Sequence, residues 1–327
     1  MKYIESHSTD PYYNLALEEH VFSDLPRTES YFMLWQNANT IVIGKYQNAL
    51  EEVNQRAVDE LGIRVARRLS GGGAVYHDMG NLNFTFITDQ EDAKGLNFRI
   101  FVKPVVETLR ELGVPAEFTG RNDILVNGMK ISGNSQYVKE GRVMHHGCIM
   151  LSSDLGRVAE ALRVREAKFT SRSSKSVRSR VTTINNEAPR EITMEEFKSA
   201  LVRHILGVGE VERYELTEAD EQAICALRDS KYATWEWNYG RPIKFEMRRE
   251  AKFPAGLVTV DLTADGGVIE AIHFSGDFFG NGAIEELEAG LIGARLDSGL
   301  AAKIRALDLE EYMAGIDPED LAELIRG

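Results

Sequence analysis

The chain is 327 residues long, 43% hydrophobic and 27% charged, with a formal net charge of -13. That length exceeds one typical domain and suffices for a sizeable core, so two domains are expected. The acidic balance argues against a nucleic-acid binder, and no apolar run is long enough to span a bilayer; with no leader-like stretch after Met1 and only Cys148 and Cys225, the reading is a soluble, reduced, cytoplasmic protein.

In chain order, Asp10 and Pro11 supply a cap and a first-turn proline for a helix over residues 10–19. Strands are predicted over 31–35 and 40–43, and a helix over 51–61 closes at Gly62. Val75, Tyr76, Leu82, Phe84 and Phe86 flank Asp78-Met79-Gly80-Asn81 in the spacing of a hairpin. A helix over 105–112 ends at Gly113; Pro104 would break an interior turn, so a kink or a start near residue 101 is expected. Helices over 193–206, with a capping box from Thr193 and Glu196, and over 217–227 follow. Beyond Trp235-Glu236-Trp237-Asn238-Tyr239-Gly240-Arg241-Pro242, strands alternate over 243–248, 257–262 and 268–274, and short helices cover 284–291, 301–307 and 320–325. The whole reads as α+β, with mixed or antiparallel sheets flanked by helices, divided into residues 1–242 and a small α+β domain over 243–327.

The chemistry begins at Arg67-Arg68-Leu69-Ser70-Gly71-Gly72-Gly73-Ala74-Val75-Tyr76-His77-Asp78. Glycines let backbone amides approach a ligand, and guanidinium groups beside them offer further donors to the same anionic oxygens, so an anion cradle is expected. Neither a P-loop nor a strand-to-helix Gly-x-Gly-x-x-Gly is present, so a nucleotide would be bound by another architecture.

Asn127-Gly128 between apolar runs predicts a two-residue hairpin pairing Val126 with Met129, Leu125 with Lys130, Ile124 with Ile131 and Asp123 with Ser132. Alternation then puts Asp123, Leu125, Lys130 and Ser132 on one face and Ile124, Val126, Met129 and Ile131 on the other. A third strand over 143–151 puts His146 and Cys148 on one face and His145 on the other. No paired Cys-x-x-Cys or His-x-x-x-His spacing calls for zinc. Residues 163–180 carry seven cations against Glu166 alone, with serines interleaved, the composition of a mobile basic loop.

Arg-Arg-x-Ser-Gly-Gly-Gly-Ala-Val-Tyr-His-Asp-x-Gly-Asn, Gly120-Arg121-Asn122-Asp123, Asn127-Gly128-x-Lys130-x-Ser132-Gly133, His145-His146-Gly147 and Lys175-Ser176-Val177-Arg178-Ser179-Arg180 together resemble the lipoate-protein ligase A family, in its order and over nearly the whole chain. The resemblance implies a biotin/lipoate ligase-like catalytic domain with an accessory domain that moves when the adenylate forms. It implies activation of lipoate with Mg-ATP as lipoyl-adenylate, release of pyrophosphate, and transfer of the lipoyl group to a carrier lysine. The implied carriers are lipoyl domains of 2-oxo acid dehydrogenases and the glycine-cleavage carrier protein, and the implied enzyme is a monomer.

Lys130 matches the family's essential lysine, and its role here is charge stabilisation where two anions must meet. Arg68 matches the phosphate-binding arginine, and Gly73, Ala74, Val75 and Tyr76 the adenylate-contacting strand. Ser70, Gly71, Gly72, His77, Asn83, Ser132, Gly133 and His146 are the further implied substrate contacts. Asp123 is the candidate for Mg²⁺, a cation usually held by one or two carboxylates plus phosphate oxygens. Lys175, Ser176, Val177 and Arg178 match the adenylate-binding loop, which would shield the intermediate from water. Two alternatives stand beside this reading: an octanoyl or lipoyl amidotransferase working through a Cys148 thioester, and a non-catalytic binder.

Overall fold

The longest alternating runs pair into one seven-stranded mixed sheet. In spatial order it holds β1 (Lys2–Glu5), β2 (Tyr31–Trp35), β6 (Asn81–Asp89), β10 (Arg142–Met150), β9 (Met129–Lys139), β8 (Asp123–Val126) and β7 (Ala116–Thr119). The β1–β2 pair is parallel and all its other pairs are antiparallel. A second sheet places β3 (Thr40–Ile43) between β4 (Arg64–Arg67) and β5 (Val75–His77). A third holds β11 (Met247–Phe253), β12 (Gly256–Asp265) and β13 (Val268–Gly276). The computed structural model describes residues 1–53, 55–89, 98–119, 122–157, 181–207, 209, 211–240, 247–265 and 267–327.

Helices cover both faces of the large sheet, α1 being buried nearly all round and the others burying an apolar stripe. On one face, Phe101, Val102, Val105 and Leu109 of α3 (Arg99–Glu111) and Phe197 and Leu201 of α4 (Met194–Leu206) share a core with Phe84, Ile124, Val126 and Ile131. On the other, Leu15, Leu17 and Val21 of α1 (Pro11–Ser23) and Ile224 of α5 (Glu218–Leu227) pack on Tyr31, Met33 and Met144. The remaining labelled elements are α2 (Gln55–Leu61), α6 (Ile284–Leu291), α7 (Leu300–Arg305) and α8 (Pro318–Arg326).

Local signals held where they were backbone chemistry. Asp10 accepts from the Tyr12 N–H at 3.2 Å with Pro11 in the first turn, and the helix it opens runs four residues beyond Glu19. Thr193 caps α4, but the Glu196 carboxylate pairs with Arg190, so only half of the capping box forms there; the full reciprocal box lies at Thr217 and Asp220. The helix expected over 51–61 is interrupted, as Ala49–Glu52 and then α2. α3 starts at Arg99 and carries Pro104 inside, because its buried stripe outweighs one lost backbone bond. In the C-terminal part β11 runs on to Phe253, beyond the end expected at 248; residues 241–246, where its expected start and the inferred boundary fall, lie outside the described residues.

Two expectations about pairing are corrected. Val75–His77 and Asn81–Asp89 are joined by a tight turn, in which Asn81 N donates to Asp78 O at 3.0 Å, but they do not form a hairpin. β5 pairs with β3 while β6 pairs with β2 and β10, so the chain passes there from one sheet to another. Alternation defines a strand's faces and is silent about its partner. In the 123–133 hairpin, Val126 faces Met129 and Leu125 faces Lys130 as expected; Ile131 is then an extra residue, so Ile124 faces Ser132 and Asp123 faces Gly133. Beyond that bulge the alternation of β9 is displaced by one.

Candidate functional site

The cleft between the large sheet and the β4-β3-β5 sheet has about 600 Å³ of empty volume. Its apolar wall comes from Leu15, Trp35, Val42, Ala74, Val75 and Cys148, and its polar wall includes Arg68, His77, Asn83, Asn122, Lys130, Asn134, Ser135 and His146. The hairpin lysine and the glycine-loop arginine therefore open onto the same space, although they arise from different sheets.

The two arginines differ completely. Arg67 is structural: it donates to the carbonyls of Gly44, Lys45, Gln47, Trp237 and Asn238. Arg68 shapes the loop it belongs to, with Nη2 donating to Gly71 O at 2.7 Å and Gly73 O at 2.9 Å, Nη1 to Val42 O at 3.3 Å, and Nε to Ser70 Oγ at 3.1 Å. Burial pushes its guanidinium down to about 10, which still leaves it charged at neutral pH. The expectation that both guanidinium groups serve an anion cradle is thus replaced by one internal brace and one buried cation at the cavity wall.

Gly71 and Gly72 are required by close approach. A Cβ on Gly71 would stand 2.4 Å from Phe278 O, and Gly72, at φ 94°, has the Arg68 Nη2 and the Phe279 ring within 3.1 Å of where its Cβ would be. Gly72 N donates to Phe278 O at 3.2 Å, Tyr46 stacks on Phe278 with centroids 4.8 Å apart, and the Tyr46 hydroxyl donates to the carbonyls of Gly280 and Gly282. The C-terminal part of the chain is therefore in direct contact with the glycine loop.

Lys130 Nζ lies 2.8 Å from Asp123 Oδ1, with both side chains about one-third exposed. Gly133 leaves room for that ammonium, since a Cβ there would come within 3.0 Å of Nζ. The Lys130 carbonyl accepts from Thr182 N at 2.9 Å, and Val181 bridges to Lys130, which ties residues 181–182 to this strand.

His77 is held neutral by burial and then by the neighbouring Arg68 and His146 charges, which push it down to about 3. Ser6 donates to Asn14 Oδ1, Asn14 Nδ2 to Asn37 Oδ1, and Asn37 Nδ2 to His77 Nδ1 at 3.2 Å. Nδ1 is thereby an acceptor, so the ring proton resides on Nε2, a buried donor without a protein partner at the cavity wall. His145 faces the other way, 4.9 Å from the Phe101 ring and accepting from Gln136 Nε2 at 3.0 Å; burial holds it well below the ordinary value.

These two histidines make stability acid-sensitive. Below an unfolded histidine's ordinary value near 6.5 the unfolded chain binds more protons than the folded one, so stability falls as pH drops. We expect a lower denaturant midpoint at about pH 5 than at about pH 7, and a shallower decline in His145→Phe, which fits the aromatic box and cannot titrate. An equally steep decline in that variant would contradict the assignment to His145.

Of the residues singled out from sequence, Arg68, Gly72, Gly73, Ala74, Val75, His77, Asn83, Lys130, Gly133 and His146 line the cavity. Ser70 and Gly71 lie behind its wall, Tyr76 turns into the core and donates to Asn39, and Ser132 is fully buried because the bulge displaces it from the Lys130 face. Asp123 reaches the site through its ion pair with Lys130. Lys175, Ser176, Val177 and Arg178, like Gly120 and Arg121, lie outside the described residues. Sequence reasoning missed Leu15, Trp35, Val42, Asn134 and Ser135, which occupy ordinary strand or helix positions with no local signature, and it quoted Asn122 within a motif without giving it a role.

A cleft with apolar and cationic lining beside a glycine loop suits a ligase that activates an organic acid. Residues 10–206 match the lipoyl protein ligase A/B catalytic domain and residues 242–325 the bacterial lipoate protein ligase C-terminus. The chain is 46% identical to lipoate-protein ligase 1 of Staphylococcus aureus over 99% of this chain and 100% of that one. The structure of P. falciparum LipL1 in complex with lipoate superposes with a TM-score of 0.79 at 23% identity, over 99% of this chain and 98% of that one. A lipoate-protein ligase A bound with ATP does so with a TM-score of 0.65 at 27% identity, over 73% and 98%. The chain belongs to the lipoate-protein ligase family. Among the described residues no helix is long and apolar enough to cross a membrane.

Proposed function

We propose that the enzyme condenses lipoate with ATP to lipoyl-adenylate, releasing pyrophosphate, and passes the lipoyl group to a specific lysine of a lipoyl carrier domain. The observation that carries this reading is the opening of Lys130 and Arg68 onto one cavity whose far wall is apolar. A carboxylate approaching an α-phosphate brings two anions together, and two cations fixed beforehand lower that cost without reorganising during the reaction. Arg68 supplies the buried charge and Lys130, held by Asp123, the partly exposed one. The Nε2–H of His77 and the backbone N–H groups of Gly73 and Ala74 offer further donors, while Leu15, Trp35, Val42 and Val75 suit the dithiolane tail.

Mg²⁺ fits as a companion of the triphosphate, since Asp123 supplies one carboxylate and Mg²⁺ commonly takes its other ligands from phosphate and water. When bound it would screen phosphate charge. Among the described residues no cluster of three metal-ligating side chains competes for that role. Residues 1–242 would hold lipoate and ATP and residues 243–327 would act as the accessory domain. The basic segment through Lys175, Ser176, Val177 and Arg178 would cover the adenylate. The reading places a monomer in the cytoplasm, where its two free cysteines stay reduced. The proposed carriers are lipoyl domains of 2-oxo acid dehydrogenases and the glycine-cleavage carrier protein.

The test is incubation with lipoate, Mg-ATP and each apo carrier domain, read by intact mass, together with lipoate-dependent ATP–pyrophosphate exchange. Lipoylation with exchange is expected; lipoylation without exchange would overturn activation by ATP. Cys148 lines the cavity, but burial pushes its thiol up, which disfavours the thiolate a thioester route needs. Cys148→Ala should therefore retain transfer within about threefold, whereas loss of transfer with exchange intact would favour the thioester.

A further inference from the structure

One row of paired strand residues crosses the floor of the cleft. Gly133 on β9 faces Cys148 on β10, Cys148 faces Asn83 on β6, and Asn83 faces Trp35 on β2; all four line the cavity. Neighbouring strands lie about 4.8 Å apart, so Asn83 stands about 10 Å and Trp35 about 14 Å from Gly133 across the sheet. Lys130 marks the first end of this row, since its Nζ would touch a Cβ placed on Gly133. Trp35 marks the other end, and its one polar atom, Nε1, is already committed to Thr85 Oγ1 at 2.9 Å. His77 stands edge-on to that indole from the facing sheet, with ring centroids 6.2 Å apart. Between the two ends, Asn83 is 1% exposed, and its Nδ2 is buried with no hydrogen-bond partner among the described residues. Its chain neighbours Leu82 and Phe84 turn to the core on the opposite face. A buried amide without a partner is costly, and an apolar residue at the same strand position would avoid that cost.

We infer that Asn83 selects acids whose tail carries sulfur over plain alkyl acids of the same length, an inference that rests on the ligase reading above. The dithiolane sulfurs of lipoate sit five and seven bonds from the carboxyl carbon. An extended chain advances roughly 1.2 Å per bond, and a charge-assisted hydrogen bond to Lys130 adds about 2.8 Å, which puts sulfur roughly 9–11 Å from the ammonium. That is the depth of Asn83 along the floor. A divalent sulfur accepts a weak hydrogen bond, so it answers the amide N–H once the tail has displaced solvent. A methylene at the same depth leaves the amide unpaired, and that loss falls on the plain acid alone. The discrimination therefore lies in what the wrong acid fails to satisfy, and it is modest because sulfur is a poor acceptor. Asn83 meets the tail and not the reacting carboxylate, so it acts on the choice of acid.

The experiment titrates full-length wild type, Asn83→Leu and Asn83→Ala by calorimetry, without ATP, against lipoate, octanoate and an octanoate analogue bearing a thioether sulfur in its outer half. Pyrophosphate exchange driven by each acid, and a thermal melt, are measured on the same preparations. Wild type should bind lipoate and the thioether acid more tightly than octanoate. Asn83→Leu should weaken lipoate and tighten octanoate, shifting their ratio about tenfold in binding and in exchange alike. Asn83→Ala should shift the ratio in the same direction without adding bulk. Movement of the two acids in opposite senses is the readout that a merely structural role would not give. Equal weakening of every acid in the variants would assign Asn83 to structure and overturn the inference, as would an unchanged ratio. If neither variant melts cooperatively, the wild type decides alone: octanoate bound as tightly as its thioether analogue would overturn the inference. Failure of the wild type to support exchange with any of these acids would instead overturn the ligase reading.

Discussion

Lys130→Ala is expected to reduce adenylate formation by about 10³-fold while leaving the fold in place. The separation of the two effects follows from where the side chain sits. Its ion pair with Asp123 is about one-third exposed on each side, so its loss costs on the order of 1 kcal/mol or less. Ile124, Val126 and Ile131, which hold the hairpin to the core, are untouched by the change. In the occupied cavity, where water is displaced, the same ammonium faces carboxylate and phosphate at low effective dielectric, and its removal leaves developing charge uncompensated. Pyrophosphate exchange and a thermal melt on the same preparation decide the matter: exchange near the wild-type rate in a normally melting variant would remove Lys130 from the chemistry.

Arg68→Ala is expected to fail in both half-reactions and to lose stability. A purely phosphate-binding arginine would affect activation by ATP more than transfer from supplied lipoyl-adenylate. Arg68 also bridges Gly71 O and Gly73 O, holds Val42 O and orients Ser70, so deleting it releases the loop that the proposed function uses in both half-reactions. Each buried carbonyl left without a donor costs roughly 1–3 kcal/mol, which should appear as a lowered denaturant midpoint. Arg68→Lys keeps the charge but cannot span these acceptors, so it should recover only a small part of either rate. Selective loss of activation with an unchanged midpoint would show that the bracing of the loop is dispensable.

The contact between the glycine loop and the C-terminal part gives these effects a route to the rest of the molecule. Gly72 N and Phe278 O share a hydrogen bond, and Val138 N on β9 donates to Asn281 Oδ1 at 3.0 Å. The glycine loop and the sheet that carries Lys130 are thus both held by the segment 278–282.

Much of this was written in the local chemistry of the chain. Asn127 and Gly128 both take positive φ, 51° and 78°, as a two-residue turn between strands demands, and the turn alone placed Lys130 opposite Leu125. Asp10, Thr193 and Thr217 began helices because their side chains answer amides that a first helical turn leaves unpaired. Alternation separated His146 and Cys148 from His145 correctly, since side-chain direction in a strand depends on parity alone.

What the sequence determined by itself was therefore short-range: turns, caps, faces, and the residue types suited to an anion and an apolar acid. Only the tertiary structure decided that Val75–His77 and Asn81–Asp89 part company into different sheets, that Ile131 bulges and turns Ser132 away from Lys130, and that Arg67 braces the backbone while Arg68 reaches the cavity. It alone brought Glu18, from the middle of a helix, to His146 some 128 positions along the chain. The physical reason is that backbone conformation answers to neighbours a few residues away, whereas partner choice and burial answer to groups that meet only when the core closes.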